Sequence, residues 1–238
     1  MNIKAVVFVA IINALVASSF SGTLVVPGSN ATSEGDSGNS LPFGSAAPSV
    51  RYQQVYASTA FASLTLGGEF ITQIAFRPDA AQGAFTSTQT VQLNLSTTSM
   101  SPDSLSLTFS ANVGLDDAVV FGSAPLTLSS SATAGVPHDF DIIITLTTPF
   151  FYNPAGGNLL LDVRKFSGQG AGVFDAAMAT TDAVSRVGAV NVTSDSATFN
   201  DSGGLVTRFT TTVPEPCSAV LLLTGIALLA TRKQRTGA

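Results

Sequence analysis

The sequence is poor in the side chains on which most extracellular enzymes and metal proteins depend. It has no tryptophan, one cysteine (Cys217) and one histidine (His138) among 238 residues. A single cysteine excludes an intramolecular disulfide and a thiolate metal cluster, so burial and hydrogen bonding must stabilise the fold. The single histidine and the lack of a GxSxG motif argue against a Ser/His/Asp hydrolase and against zinc, iron or copper. We expect His138 to be a surface loop residue.

Charged residues are also scarce, at 11% of the chain. Residues 22–212 carry six basic and fourteen acidic side chains, which gives a formal charge of about −8. This balance argues against binding to nucleic acid or to anionic lipid, because nothing resembles a basic patch. The net negative charge favours solubility outside the cell.

The C-terminal region contains three consecutive features. It begins with the tetrapeptide Val213, Pro214, Glu215 and Pro216, continues with the apolar run 217–231, and ends with a basic cluster that contains Arg232, Lys233 and Arg235. The two prolines prevent a helix before residue 217 and favour an extended backbone. A helix of about 15 residues is roughly 22 Å long, shorter than the hydrocarbon core of about 30 Å. The basic cluster favours a cytoplasmic C-terminus and an external body.

This arrangement resembles the PEP-CTERM sorting signal of Gram-negative bacteria. The resemblance implies that residues 213–238 are a sorting signal, with the motif at 213–216, a transmembrane helix at 217–231 and a basic tail at 232–238. It also implies that Arg232, Lys233 and Arg235 stop the chain in the inner membrane, and that exosortase, a transpeptidase-like membrane enzyme, recognises the motif. The signal describes a destination and no biochemical activity. An ordinary tail anchor or a buried core helix is the alternative.

The N-terminus has the pattern of an export signal. Residues 1–4 are short and positive, residues 5–17 are apolar, and residues 17–21 supply small side chains for signal peptidase. We predict a signal peptide over residues 1–21, with cleavage after Ser21. Cleavage after Ser19 and an uncleaved N-terminal anchor are the alternatives.

The body between the two signals shows the period-two pattern of β-strands. Apolar residues alternate with polar ones in the windows 91–95 and 105–109, and apolar side chains share one face in the windows 70–76 and 140–146. In the third window we expect Phe70, Ile74 and Phe76 on one face. In the fourth we expect burial on both faces around Ile143.

Turn signals rich in glycine, proline, asparagine and aspartate separate these windows, and no helical stripe links them. We therefore predict an all-β fold: an antiparallel β-sandwich of jelly-roll type over residues 50–212, with about eight to ten strands. A closed barrel is the alternative. Residues 22–49 lack periodicity and are predicted to be an extended lead-in over the surface, although Val25 and Val26 could form an edge strand.

A second resemblance covers most of residues 23–166. The phrases at 23–39, 51–56, 71–79 and 157–164 are similar to a group of PEP-CTERM proteins of unknown function, so no functional residue can be transferred from them. From the residues themselves, we expect Arg51 and Arg77 to pair with Asp79, Asp162 or another carboxylate and to stack on an aromatic ring. We expect Asp162 to pair with a neighbouring strand.

The remaining candidates for chemistry are weak. A glycosidase would need two converging carboxylates, for which the candidates are the pairs Asp116–Asp117 and Asp139–Asp141. Structural calcium would need oxygen ligands, which Asp116 with Asp117, or Glu34 with Asp36, could supply without a DxDxDG spacing. Sugar binding would need an aromatic platform, for which the tyrosines are Tyr52, Tyr56 and Tyr152.

The sequence therefore predicts a non-catalytic body with no cofactor or metal. We expect an exported protein that is anchored briefly in the inner membrane and then sorted to the cell surface or the extracellular matrix, in a structural role or associated with exopolysaccharide. Its expected partners are signal peptidase, exosortase and the inner membrane, and no nucleic acid. The alternatives are a carbohydrate-binding module and, less favoured, a glycan-active hydrolase.

Overall fold

The computed structural model describes residues 21–132 and 135–214. The predicted signal-peptide segment 1–20, and the sorting signal from Glu215 onward, lie outside these residues. In the described part of the chain there is no α-helix, and the only helical elements are four short 3-10 turns at Gly28–Asn30, Ser58–Phe61, Phe109–Ala111 and Pro154–Gly156. The prediction of an all-β fold is confirmed.

Thirteen strands are present in the described residues, more than the predicted eight to ten because several are only two to four residues long. They are β1 (Ser21–Val26), β2 (Ser37–Asn39), β3 (Val50–Tyr56), β4 (Glu69–Phe76), β5 (Phe85–Thr98), β6 (Ala118–Ser130), β7 (Ile142–Tyr152), β8 (Asn158–Gly168), β9 (Phe174–Ala177), β10 (Val184–Ala189), β11 (Phe199–Asp201), β12 (Gly204–Leu205) and β13 (Thr207–Thr212).

These strands form three sheets, and every strand pairing is antiparallel. A four-stranded sheet has the order β1-β13-β4-β7, a six-stranded sheet the order β11-β10-β3-β8-β5-β6, and a small sheet the order β12-β9-β2. The last strand, β13, therefore lies inside the first sheet, with β1 on one side and β4 on the other.

The two large sheets pack face to face around one apolar core. Ile74 and Phe209 from the four-stranded sheet belong to the same buried cluster as Tyr56 and Leu93 from the six-stranded sheet. The rings of Tyr56 and Phe209 meet edge to face, with centroids 5.0 Å apart. This packing is that of a β-sandwich, in agreement with the period-two pattern.

A bulge in β4 changes which of its side chains enter the core. The pairing of β4 with β7 shifts between Ile71 and Gln73. Ile71, Ile74 and Phe76 are therefore buried in the core, whereas Phe70 packs against Phe151 on the outer side of the sheet. The expected common face for Phe70, Ile74 and Phe76 was wrong, because the extra residue reverses the alternation at that point.

Two other expectations from periodicity were wrong. Residues 105–109 are a loop and not a strand: Leu105 and Phe109 are buried, Leu107 is 51% exposed, and the loop covers Val55 and Leu160 on the outer face of the six-stranded sheet. In β7, Ile143 points outward and is 47% exposed, so this strand is buried on one face only.

The segment before β3 is more than a surface lead-in. β1 pairs with β13 along its whole length, as suggested by the valines. Residues 27–49, which we call the strap, include β2 and the fully buried Phe43, whose ring lies 5.6 Å from that of Phe76 and 5.8 Å from that of Phe174. The compact unit accordingly runs from Ser21 to Val213. An apolar anchor within a polar segment gives no periodic signal, which explains the error.

Candidate functional site

The residues that lead to the predicted sorting motif belong to β13, one of the two interior strands of the four-stranded sheet. Thr212, the last residue of β13, pairs with Ser21 of β1 on one side and with Phe70 of β4 on the other. Val213, the first residue of the motif, follows directly. Pro214 is the last described residue, so the Glu215 and Pro216 positions, the run 217–231 and the cluster of Arg232, Lys233 and Arg235 are not covered by the structure.

The pairing of β1 with β13 also brings the two ends of the body together. Ser21, the expected last residue of the signal peptide, lies opposite Thr212. Directly opposed residues in an antiparallel pair have Cα atoms about 4.5–5.5 Å apart. The predicted cleavage site after Ser21 and the predicted sorting motif that begins at Val213 therefore lie at the same end of the four-stranded sheet. Among the residues that the structure describes, no helix is long and apolar enough to cross a membrane.

Arg51 has the partners expected for a structural arginine. Its Nη2 donates to Asp162 Oδ2 at 2.9 Å, and its guanidinium lies 4.5 Å from the centre of the Phe109 ring. Asp162, on the neighbouring strand β8, also accepts from Gln53 Nε2 at 2.9 Å. The carboxylate is 2% exposed and serves the β3–β8 pairing. It is not available to a substrate.

Arg77 is the most deeply buried arginine among the described residues, at 1% exposure. Its Nε and Nη2 reach Asp175 Oδ2 at 2.7 and 2.6 Å, and the guanidinium lies 4.8 Å from the centre of the Phe140 ring. Its carboxylate partner is thus on β9 and is not the nearby Asp79. Burial raises the pKa of the Asp175 carboxyl, and the Arg77 guanidinium opposes that rise.

This ion pair holds the strap. Arg77 Nη2 donates to the Ser33 carbonyl at 2.6 Å, and Asp175 Oδ1 accepts from the Gly35 N–H at 2.9 Å. A second buried cation, Lys165, donates from Nζ to the carbonyls of Ser45 and Ala47. Burial lowers the pKa of Lys165. Two of the six basic residues of the body therefore fix the strap, a role that the sequence alone did not indicate.

The three tyrosines do not form a sugar platform. Tyr52, Tyr56 and Tyr152 are all fully buried. Their hydroxyls bond internally: Tyr52 to Gln54 Oε1, Tyr56 to Thr207 Oγ1 and Tyr152 to the Gly157 carbonyl. Burial raises the pKa of each phenol, because the charged form would lose its hydration.

The candidate carboxylate pairs are used locally. Asp116 Oδ1 accepts from the Thr97 N–H at 2.7 Å, while Asp117 accepts from Asn94 Nδ2 at 3.0 and 3.1 Å. Asp141 Oδ2 accepts from Ser130 Oγ at 3.0 Å and from the Ser131 N–H, and Asp139 is exposed on the other side of Phe140. Asp116 and Asp117 thus have separate partners.

An open cleft of about 420 Å³ lies beside Asp116. Its lining includes the hydroxyl residues Thr97, Thr98 and Ser99 together with Val113 and Gly114. Asp116 is the one carboxylate among the described lining residues. Two flanking carboxylates, as glycoside hydrolysis requires, are therefore not found there.

His138 is 9% exposed, so the expectation of a surface histidine was wrong. Within residues 21–132 and 135–214, no group of three His, Cys, Asp or Glu side chains is arranged to hold a metal ion. The two proposed calcium ligands near the N-terminus have other partners. Glu34 Oε1 accepts from the Ala80 N–H and Asp36 Oδ1 from the Met178 N–H.

One carboxyl has a markedly perturbed pKa. Burial raises the pKa of Asp182 to about 6, and the nearby charges of Asp103 and Asp36 act in the same direction, while the Val184 N–H opposes them. The raised pKa of Asp182 makes the stability of the folded body depend on pH.

The outer face of the four-stranded sheet carries a feature that the sequence analysis missed. Phe70 and Phe151 pair across β4 and β7 with ring centroids 5.3 Å apart, and Phe151 is 44% exposed. A neighbouring row joins Thr210, Gln73 and Thr145, with Gln73 bonded to both hydroxyls at 3.4 and 3.3 Å. Only knowledge of the β4 bulge could have placed these side chains on one face.

Comparisons with known proteins add no family. No protein-family model matches the chain, and no curated protein is similar to it.

Proposed function

We propose that this chain is an exported exosortase substrate whose body is a non-catalytic jelly-roll sandwich of the cell surface or extracellular matrix. The main support is that the two ends of the body adjoin, with Ser21 opposite Thr212. Before signal peptidase acts, a signal peptide and a C-terminal anchor in one membrane would hold both the first and the last residues of the body near the membrane surface. A sheet that pairs its first and last strands allows this arrangement without a linker at either end.

The strand order supports the jelly-roll assignment. Eight of the strands can be renumbered 1 to 8 in chain order; they are β1, β3, β4, β5, β6, β7, β8 and β13. With these numbers the four-stranded sheet has the order 1-8-3-6, and the six-stranded sheet contains the order 2-7-4-5. Two interleaved Greek keys produce this order. β10 and β11 extend the second sheet beyond β3.

The contacts of the charged residues support a structural role. Arg51, Arg77, Lys165 and Arg186 are each bound to carboxylates or carbonyls of the body itself, and the tyrosines are buried. Few basic or tyrosine side chains then remain for a small ligand. The proposed role is therefore to present a stable, acidic module in the polysaccharide matrix.

The experiment that tests sorting is replacement of the motif by Pro214→Ala, Glu215→Ala and Pro216→Ala. Because these residues are proposed to be read by exosortase, the expected result is normal export, with the full-length protein retained in the inner membrane. The measurement is fractionation with the intact mass of the protein in each fraction. A host that lacks exosortase is the control and should give the same precursor. Surface protein of normal mature mass from the variant would contradict the proposal.

A carbohydrate-binding module is the second candidate, favoured by the exposed Phe151 beside the row of Thr210, Gln73 and Thr145. An aromatic face next to hydroxyl and amide groups is the usual composition of a sugar-binding surface. A glycan array with the purified body decides between the two, because binding that Phe151→Ala abolishes would favour the module. A glycan-active hydrolase stays the less favoured alternative, and turnover of a glycan by the pure body would support it.

A further inference from the structure

We propose that the sheet itself controls sorting: exosortase acts only when the C-terminal end of β13 leaves its two neighbours. This inference rests on the proposed function. It starts from the position of β13, the last described strand, which is inserted between β1 and β4. Strand pairing on both sides continues to the end of β13, since Thr212 lies opposite a residue in each neighbour.

The motif begins without a linker. Only Val213 separates Thr212 from Pro214, and one extended residue spans about 3.5 Å. Enzymes that cleave or transfer a peptide bind it in an extended form, commonly through the backbone groups that a strand uses in a sheet. An enzyme that contacts even two residues before Pro214 must therefore take Thr212 out of the sheet.

The buried side chains of β13 oppose this release. Thr211 is 1% exposed and Phe209 is fully buried, with its ring against those of Tyr56 and Phe61. Opening can therefore proceed only from the end of the strand, over Thr212 and Thr211, before the apolar core is disturbed. Such fraying is a local equilibrium, and a step that acts on the open form proceeds at a rate set by its population.

A disulfide across the end of β13 tests this directly. Phe70 and Thr212 are opposed residues, whose Cα separation of about 4.5–5.5 Å falls within the range that a disulfide bridges. The pair Phe70→Cys and Thr212→Cys, in a Cys217→Ser background, should fix Thr212 to β4. The matched control is Thr88→Cys with Thr127→Cys, an opposed and exposed pair on β5 and β6, in the sheet that does not contain β13.

The measurement is a pulse-chase of the full-length protein in a host with exosortase, following conversion of precursor to mature mass with and without a reductant. We expect the oxidised Phe70–Thr212 cross-link to slow conversion roughly tenfold or more, because opening at that position is blocked. Reduction should restore the rate. The control cross-link should have no effect. Equal rates for the oxidised and reduced test variant would overturn the inference.

A second variant keeps the test decisive if the cross-linked protein folds poorly. A six-residue Gly/Ser linker inserted between Thr212 and Val213 should speed conversion of the otherwise native chain, and should make conversion insensitive to the cross-link. An unchanged rate with the linker would also overturn the inference. Failure of the proposed function has a different signature, which is normal processing after the motif is replaced by alanine.

Discussion

Loss of the charge on Asp175 is expected to be among the most damaging single changes in the body. The Arg77 side chain is 1% exposed and that of Asp175 is fully buried. Asp175→Asn keeps the shape but leaves a buried guanidinium without a counter-charge. Removing one partner of such a pair typically lowers the free energy of unfolding by about 3–5 kcal/mol. For a domain with a total of about 5–15 kcal/mol, this loss is at least about a fifth of the stability.

The matched control is Asp201→Asn. Asp201 binds Arg186 through two contacts of 2.7 and 3.1 Å, but its side chain is 35% exposed, so water can replace much of the interaction. The Arg186 side chain is 12% exposed, so this pair lies between an exposed pair, which contributes about 0–1 kcal/mol, and a buried one, and Asp201→Asn should cost clearly less than Asp175→Asn. Urea denaturation of residues 21–214, followed by fluorescence of the tyrosines and by circular dichroism, gives both values.

The ion-pair argument also predicts the result for a double variant. Arg77→Met with Asp175→Asn removes the uncompensated charge and should be less destabilising than Asp175→Asn alone. Equal losses of stability for Asp175→Asn and Asp201→Asn would refute the reasoning. A double variant much less stable than Asp175→Asn alone would also refute it.

Three further predictions concern stability. The pKa of Asp182 is about 6 in the folded protein against 3.8 as the ordinary value, so the folded state holds the extra proton between these values. The free energy of unfolding should then fall as pH rises from 4 to 6.5 and stay level above that pH. With allowance for the partial exposure of Asp182, the fall is about 1–2 kcal/mol. Asp182→Asn should flatten this profile in urea titrations. Phe43→Ala should cost about 3–5 kcal/mol in the same assay, against less than about 1 kcal/mol for Phe151→Ala; similar losses would contradict the buried strap. Leu105→Ala should cost about 2 kcal/mol or more and Leu107→Ala about 0.5 kcal/mol or less, whereas equal effects would favour the alternating strand.

The regular part of the fold could be predicted because its cause is local. In β5, Val91, Leu93 and Leu95 are all fully buried, as their alternation with polar residues indicates. The same reasoning failed for residues 105–109, where alternation arises from a loop that lies flat on a sheet and buries Leu105 and Phe109. The alternation did not report burial there, because Leu107 is 51% exposed between the two buried residues.

The sequence predicted that Arg51 and Arg77 pair with carboxylates, but it named the observed partner only for Arg51. Arg51 pairs with Asp162, which was one of the expected carboxylates. Arg77 pairs with Asp175, almost a hundred residues away, rather than with Asp79 nearby. The choice depends on how β9 approaches the end of β4, and this tertiary arrangement has no signature in either local sequence. For the same reason the strap and the Phe70–Phe151 pair were not foreseen.

The position of β13 also determines how the body bears force. If the body is attached at the cell surface through its C-terminus, as proposed, drag pulls along the axis of β13. Both ladders, to β1 and to β4, are then loaded in shear, so the bonds of six residues must yield together. A force that pulls Ser21 and Thr212 apart acts differently, because the adjacent ends of an antiparallel pair separate one hydrogen bond at a time. Attachment through the C-terminus alone therefore makes the sandwich resistant to drag.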